Sequence, residues 1–327
     1  MNDKQKDLIQ KFAALGSLML LVLVFALSGE AFFTFENGMS VALQVSSIAL
    51  LGIAATCVII TGGIDLSSGS VLALAGVTAA LLTRQGTPVP LAMLAGLLVG
   101  GACGLVNGLA VTRLRLPPFI ATLGMMLIAR GVALQITDAR AVSGLGEAFG
   151  VLGNGTLLRI EHDSGGPFPD VVFPGIPYPV LLMVLIAVAV AVMLGRTVFG
   201  RHVYAVGSNA DAARLSGVHV DRVALTTYVL SGLMSGLAGC VLMSRLVTGQ
   251  PNEGVMYELD AIASAVIGGA SLTGGIGTIS GTMIGAFIIG VLRNGLNMNG
   301  ISSFVQQIII GLVILLTVWI DQKRNRS

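Results

Sequence analysis

Few side chains in this sequence are of types and at spacings that carry out covalent chemistry. The three histidines, His162, His202 and His219, form neither an HExxH pair nor an i, i+4 pair that would grip a metal from one helix face. Cys57, Cys103 and Cys240 stand in apolar runs without CxxC spacing, an odd count that argues against a disulfide framework and a zinc site. They read as small packing residues. No GxSxG elbow sets a serine beside a base, and no GxxxxGK[ST] loop is present to cradle a nucleotide phosphate. Metal binding, a resident cofactor and catalysis by this chain are therefore not expected.

The unusual chemistry is in the backbone. Gly62-Gly63-Ile64-Asp65-Leu66-Ser67-Ser68-Gly69 interrupts a long apolar tract, and a similar stretch returns at an offset of 206 as Gly268-Gly269-Ala270-Ser271-Leu272-Thr273-Gly274-Gly275. Paired Gly-broken hydrophobic segments in two halves of a chain point to a transport pathway, because irregular backbone at membrane depth is tolerated only where it is buried or lines a cavity. Thr61, Gly62, Gly63, Asp65, Ser67, Gly268, Gly269 and Ser271 are the candidate path or gate residues. Gly277, Gly281 and Gly285 also fit a close-packing stripe. Asp65 is the only acid between Asn37 and Thr83. Two readings of it stay open and are compatible: a functional ionisable group in the membrane, or, with Ser67, an N-cap for the helix that follows. Arg130, alone in its apolar region, reads as a snorkelling or paired charge rather than a substrate contact.

These residues must be positioned by elements that live in lipid. Of 327 residues, 54% are hydrophobic and only 10% are charged, against about 25% charged in soluble domains. The net charge of +2 and the lack of basic tracts with interleaved aromatics exclude nucleic acid as a partner. Charge-free windows at 12–29, 37–64, 66–83, 85–112, 171–195, 223–244, 261–292 and 294–320 each reach transmembrane length. A ninth region, 116–137, holds only Arg130. Lys4, Lys6 and Lys11 before the first span and Lys323, Arg324 and Arg326 after the last place both termini in the cytoplasm, which demands an even number of crossings. The window 261–292 is therefore read as two short or discontinuous segments, for about ten in all. Twelve basic residues then fall inside and five outside, Arg293 among the latter. The first apolar run is read as an uncleaved span.

Residues 138–177 form the outer, periplasmic loop, with Glu161-His162-Asp163 and Pro167-Phe168-Pro169-Asp170; residues 196–222 form the main cytoplasmic loop. Within the latter, Gly207, Ser208, Asn209, Asp211, Ala212, Ala213, Arg214, Leu215, Ser216 and Gly217 read as a short helix, capped by Ser208 or Asn209 and ended by Gly217. The spans lack the several intramembrane acids of an ion-coupled carrier. The chain looks like a pathway without an engine, and the loop helix like a place to dock one.

Three tracts resemble one family: 41–83 with ITGGIDLSSGSVLALAG, 196–217 with RTVFGRHVYAVGSNADAARLSGV, and 257–318 from YELDAIASAVIGG onward. They resemble the permease subunits of bacterial ribose-type ABC sugar importers over essentially the whole chain. The resemblance implies an all-α inner-membrane protein, one permease domain over 1–327 with a fold like that of the vitamin B12 importer. It also implies a homodimer, a separate cytoplasmic ATPase that binds the ATP, a periplasmic binding protein that delivers a monosaccharide, and a coupling helix at 207–217. A branched-chain amino-acid importer permease is the nearest alternative, since it shares the Gly-interrupted design; an ion-coupled secondary transporter is the further one.

Overall fold

The computed structural model describes residues 3–29, 32–162 and 170–325, and side chains at 14–29, 32–160 and 173–316. The loop tracts 161–163 and 167–170 and the terminal basic residues Lys4, Lys6, Lys11, Lys323, Arg324 and Arg326 lie outside the described side chains.

The fold is a bundle of helices: α1 (Asp3–Ser28), α2 (Phe35–Ile60), α3 (Ser68–Arg84), α4 (Val89–Thr112), α5 (Pro118–Ile136), α6 (Glu147–Asn154), α7 (Tyr178–Arg196), α8 (Val198–Ser208), α9 (Ala210–Leu215), α10 (Val220–Leu246), α11 (Tyr257–Ile267), α12 (Ile279–Met298) and α13 (Ser303–Asn325). Among the described residues, six of them (α2, α4, α5, α7, α10 and α12) are long and apolar enough to cross a membrane; shorter apolar stretches lie in α1, α3 and α13. The chain is an all-α membrane protein in architecture, as expected. A helix satisfies its own backbone in hydrocarbon, so apolar residues all round it cost nothing there.

The core is built around α2, buried along nearly its whole length from Val41 to Ile60. The hairpin of α11 and α12 packs on one side of it: Thr56 Oγ1 meets Thr282 Oγ1 at 2.6 Å, and Asn37 and Asn294 exchange side-chain hydrogen bonds. On another side, α4 lies antiparallel to α10 along Gly96, Gly100, Gly104 and Gly108, where added side chains would meet Cys240, Gly232, Tyr228 and Leu225. Small residues let backbones approach where lipid offers no hydrophobic drive for association. Of the expected stripe at Gly277, Gly281 and Gly285, the last two pack likewise, against Gly268 and Ser264 of the facing helix, whereas Gly277 precedes α12 and meets Ile60 and Ala270.

One expectation needs correction. The charge-free window that opened after Arg293 is not one span. α12 runs through Arg293 to Met298, and α13 begins at Ser303. Arg293 is tolerated inside a helix, rather than in an outer loop, because Nη2 grips both oxygens of Asp260 on α11 at 2.8 and 2.9 Å. The loop 138–177 carries structure of its own. α6 buries Phe149, and Ser244 Oγ of α10 receives the Gly153 N–H and donates to the Phe149 carbonyl. Thr156–Leu157 pairs with Ile176–Pro177, and Ile160–His162 with Asp170–Phe173, in two antiparallel pairs. The segment 247–256, between α10 and α11, is irregular, with positive φ at Val247, Gly254 and Met256. Its polar backbone cannot be left bare, and Arg130 Nη1 of α5 takes the carbonyls of Pro251 and Glu253. Arg130 is thus a paired charge, as expected.

Candidate functional site

The helix expected in the loop 196–222 is built by local capping. Thr197 accepts the Gly200 N–H and starts α8. Asn209 ends α8 in an extended conformation and begins α9, its side chain accepting the Ala212 N–H at 2.9 Å. Asp211 lies early in α9 and Arg214 late, 3.6 Å apart. Gly217 takes φ +87°, and the Gly217 and Val218 N–H groups return to the Arg214 and Ala213 carbonyls, a Schellman ending. The expected helix over 207–217 is therefore divided. Gly207 and Ser208 finish α8, and only Ala210–Leu215 form the exposed α9. Its two faces are opposite in character. Leu215 is 90% exposed, whereas Ala213 is 5% exposed and packs with Val203, Val206 and Val223. Ala213 fastens α9 to the bundle instead of offering it to a partner.

Both glycine breaks are turns between antiparallel helices. At the first, Gly62 N–H reaches the Ile59 carbonyl and Gly63 N–H that of Val58. At the second, Gly269 N–H reaches Val266 and Ala270 N–H reaches Ala265. Each is a Schellman motif with its left-handed residue at Gly62 (φ +80°) or Gly269 (φ +92°). The equivalent positions are thus 207 residues apart, one more than the letters suggest, because the second turn uses its second glycine where the first uses its first.

The structure brings these turns together with α8. Gly275 N–H donates to the Ile60 carbonyl at 2.8 Å. Gly207 is pressed onto the Ile60 carbonyl and the Gly275 amide, so that a Cβ there would collide with both. An added Cβ on Gly274 would meet the Gly207 carbonyl at 2.8 Å and the Gly62 backbone at 3.2 Å, and Tyr204 Oη donates to the Gly277 carbonyl at 2.8 Å. The end of α8 is a wedge touching both breaks. Backbone-to-backbone contact of this kind leaves no flexible side chain to absorb a displacement.

Asp65 is 4% exposed and serves the first turn from within. Its Oδ1 accepts the Ser67 N–H at 2.9 Å and Ser67 Oγ at 2.6 Å; its Oδ2 accepts Ser231 Oγ of α10 at 2.7 Å. Asn107 of α4 donates to Ser67 Oγ at 2.9 Å. Ser67 is the N-cap residue of α3, but no side chain caps in the usual way; the carboxylate closes an Asx turn instead. Thr61 and Ser271 are half-buried, Thr61 Oγ1 donating to the Val58 carbonyl and Ser271 Oγ sharing a hydrogen with Thr273 Oγ1 at 2.8 Å. Gly62 is exposed, Gly63 and Gly268 buried. Residue types and spacing did not single out Asn107, Ser231 or the Asp260–Arg293 pair. Isolated polar residues in apolar helices were the only signal, and partners 33 to 166 positions apart leave no periodic mark. Cys57 and Cys240 are buried and all three cysteines are free.

Residues 38–318 match the family described as branched-chain amino acid transport system / permease component. The chain is 42% identical over 319 residues to the ribose import permease protein of Bacillus subtilis (strain 168), covering 97% of this chain and 94% of that protein. It is 41% identical over 322 residues to the ribose import permease protein of Escherichia coli (strain K12), at 97% and 95%. It is 34% identical over 365 residues to the xylose transport system permease protein of the same strain, at 97% and 93%. No solved structure matches.

Proposed function

We infer the function from one premise: the chain belongs to the branched-chain amino acid transport system / permease component family, and within it acts as the inner-membrane permease subunit of an ABC sugar importer. Ribose and xylose permeases align end to end with it at 34–42% identity; this favours a sugar over the branched-chain amino acid in the family's description. The sugar is then of the monosaccharide class, ribose or xylose among them. As a permease component, the chain has no catalysis of its own, and ATP is bound by a separate cytoplasmic ATPase while a binding protein delivers the sugar from outside.

The single observation that carries the mechanism is the α8 wedge. α9 presents Leu215 to the surroundings, as a docked partner helix requires, and the neighbouring Gly207 bears on both glycine turns. In this reading Asn209 through Gly217 form the coupling helix. ATP-driven movement of the ATPase pushes α9, and α8 delivers that push to Ile60 and Gly275. The path runs beside Thr61, Gly62, Gly63, Gly268, Gly269 and Ser271, with Asp65 and Ser67 bracing its wall. Ten membrane segments (α1, α2, α3, α4, α5, α7, α10, the 247–267 stretch, α12 and α13) and cytoplasmic termini fit the excess of basic residues on the α9 side. One permease domain with a fold like that of the vitamin B12 importer, paired with a second copy about a two-fold axis, completes the proposal.

Proteoliposomes test it. The chain co-reconstituted with its ATPase and binding protein should accumulate labelled pentose only with ATP, and the chain alone should accumulate none. Uptake by the chain alone along an ion gradient would replace this reading with a secondary carrier, and a complex containing two different permeases would end the homodimer.

A further inference from the structure

We propose that the arginine-lined cavity between the end of α4, α9 and the start of α10 binds the phosphate-bearing headgroup of an anionic phospholipid. The cavity encloses about 600 Å³ and carries Arg113, Arg115, Arg214 and Arg222 on its walls against one carboxylate, Asp221. That carboxylate is already engaged, with Arg115 Nη2 at 3.4 Å. Arg214 is drawn to Asp211, which does not line the cavity. Arg113 and Arg222 have no acidic partner among the described residues. Four guanidinium groups around a hollow, two of them without counter-charge, select an anion, and their planar donor forks match phosphate oxygens.

α4 decides which anion. Leu105, Leu109 and Arg113 follow at steps of four and share one helix face. Leu105 and Leu109 are exposed, as are Leu114 and Phe119 just beyond the helix. An apolar stripe thus descends to an unpaired arginine at the cavity mouth. A molecule with acyl chains and a negatively charged head fits both parts, as in basic pockets at the ends of membrane helices. Free phosphate would leave the stripe bare, and an acidic protein segment would leave apolar surface against lipid with no reason to end there.

The cavity shares Arg214 and Gly217 with the proposed coupling helix, but lipid retention by the chain without its ATPase reads the site separately from the transport reading. The full chain in mild detergent is offered phosphatidylglycerol and phosphatidylcholine with identical acyl chains, and retained lipid is read by native mass spectrometry. Phosphatidylglycerol should be retained roughly tenfold over phosphatidylcholine. The R113Q/R222Q double variant should lose that preference, while R84Q, at the far end of α3, should keep it. Leu109→Ser should weaken retention of phosphatidylglycerol. Equal retention of the two lipids, or an unchanged preference in R113Q/R222Q at wild-type thermal stability, overturns the proposal. So does displacement of the lipid by millimolar inorganic phosphate, which would make the site one for a soluble anion. If R113Q/R222Q loses ATPase co-purification while its lipid preference is intact, the cavity is a protein socket and the proposal fails.

Discussion

The turns at 61–67 and 268–278 end their helices with the same hydrogen bonds and are then held in opposite ways. The first is held by side chains: a buried carboxylate collects donors from its own turn and from α10, and Asn107 of α4 extends the network. The second has no such network. Leu272 and Ile276 are exposed, the Ser271 and Thr273 hydroxyls bond each other, and it is fixed by backbone contact with Ile60 and Gly207 and by one hydrogen bond from Tyr204 of α8. Its helix pair is braced instead at the far end, where Arg293 grips Asp260. A turn locked from within makes a fixed post, whereas one held only by contact with neighbours can follow when they shift. On the proposed transport reading, the first turn is the anvil and the second the moving jaw, with the end of α8 between them.

The largest effect should come from Gly207→Val. The added side chain meets backbone on two sides, and overpacking alone typically costs about 1–3 kcal/mol. Uptake in reconstituted vesicles should fall to background while the chain still inserts; normal uptake would mean that the wedge transmits nothing. Next is the far brace. Asp260→Ala leaves Arg293 uncompensated, a change that costs about 3–5 kcal/mol when the pair is buried; the expectation is a clear fall in thermal midpoint in detergent. A paired D260L/R293M replacement should recover most of it, and failure to recover would show that the charges serve transport as well as the hairpin.

The anvil is tested at Asp65. Asp65→Ala strands the Ser67 and Ser231 donors at about 1–3 kcal/mol each, lowering the thermal midpoint, whereas Asp65→Asn keeps an acceptor and should lose less. Equal loss of uptake in both variants at wild-type stability would instead make the negative charge itself functional. The smallest effect is expected at Ser271→Ala. Its hydroxyl bonds only an exposed neighbour, so stability should change by no more than about 0.5 kcal/mol. Destabilisation as large as that of Asp65→Ala would abolish the contrast between the turns. Ala213→Trp belongs outside this series, because its site is buried against Val203 and Val223 and the variant would disturb packing whatever α9 does.

Much of the architecture was legible because lipid is a strict solvent. It forbids unpaired backbone and bare charge, so length without charge reads directly as helix. The rule misplaced a boundary where a charge had found a partner, at Arg293. The α9 caps were legible for the same local reason: Asn209 and Gly217 act on amides and carbonyls within a few residues. The echo of the two glycine tracts was legible as well, though one residue out of step, since composition does not say which glycine of a pair will turn left-handed.

By itself, then, the sequence determined the membrane setting, most helices, the capped loop helix, the paired turns and, through its motifs, the family. Each follows from neighbours along the chain or from the burial that lipid imposes. Tertiary structure alone decided that Gly207 is the meeting point of both turns, that the Asp65 carboxylate is engaged by Ser67 and by Ser231 of α10, that Arg130 serves the irregular stretch before α11, and that Ala213 points inward. Those facts depend on helices distant in sequence crossing at close range. Small residues permit many such crossings, and only the packed bundle selects one.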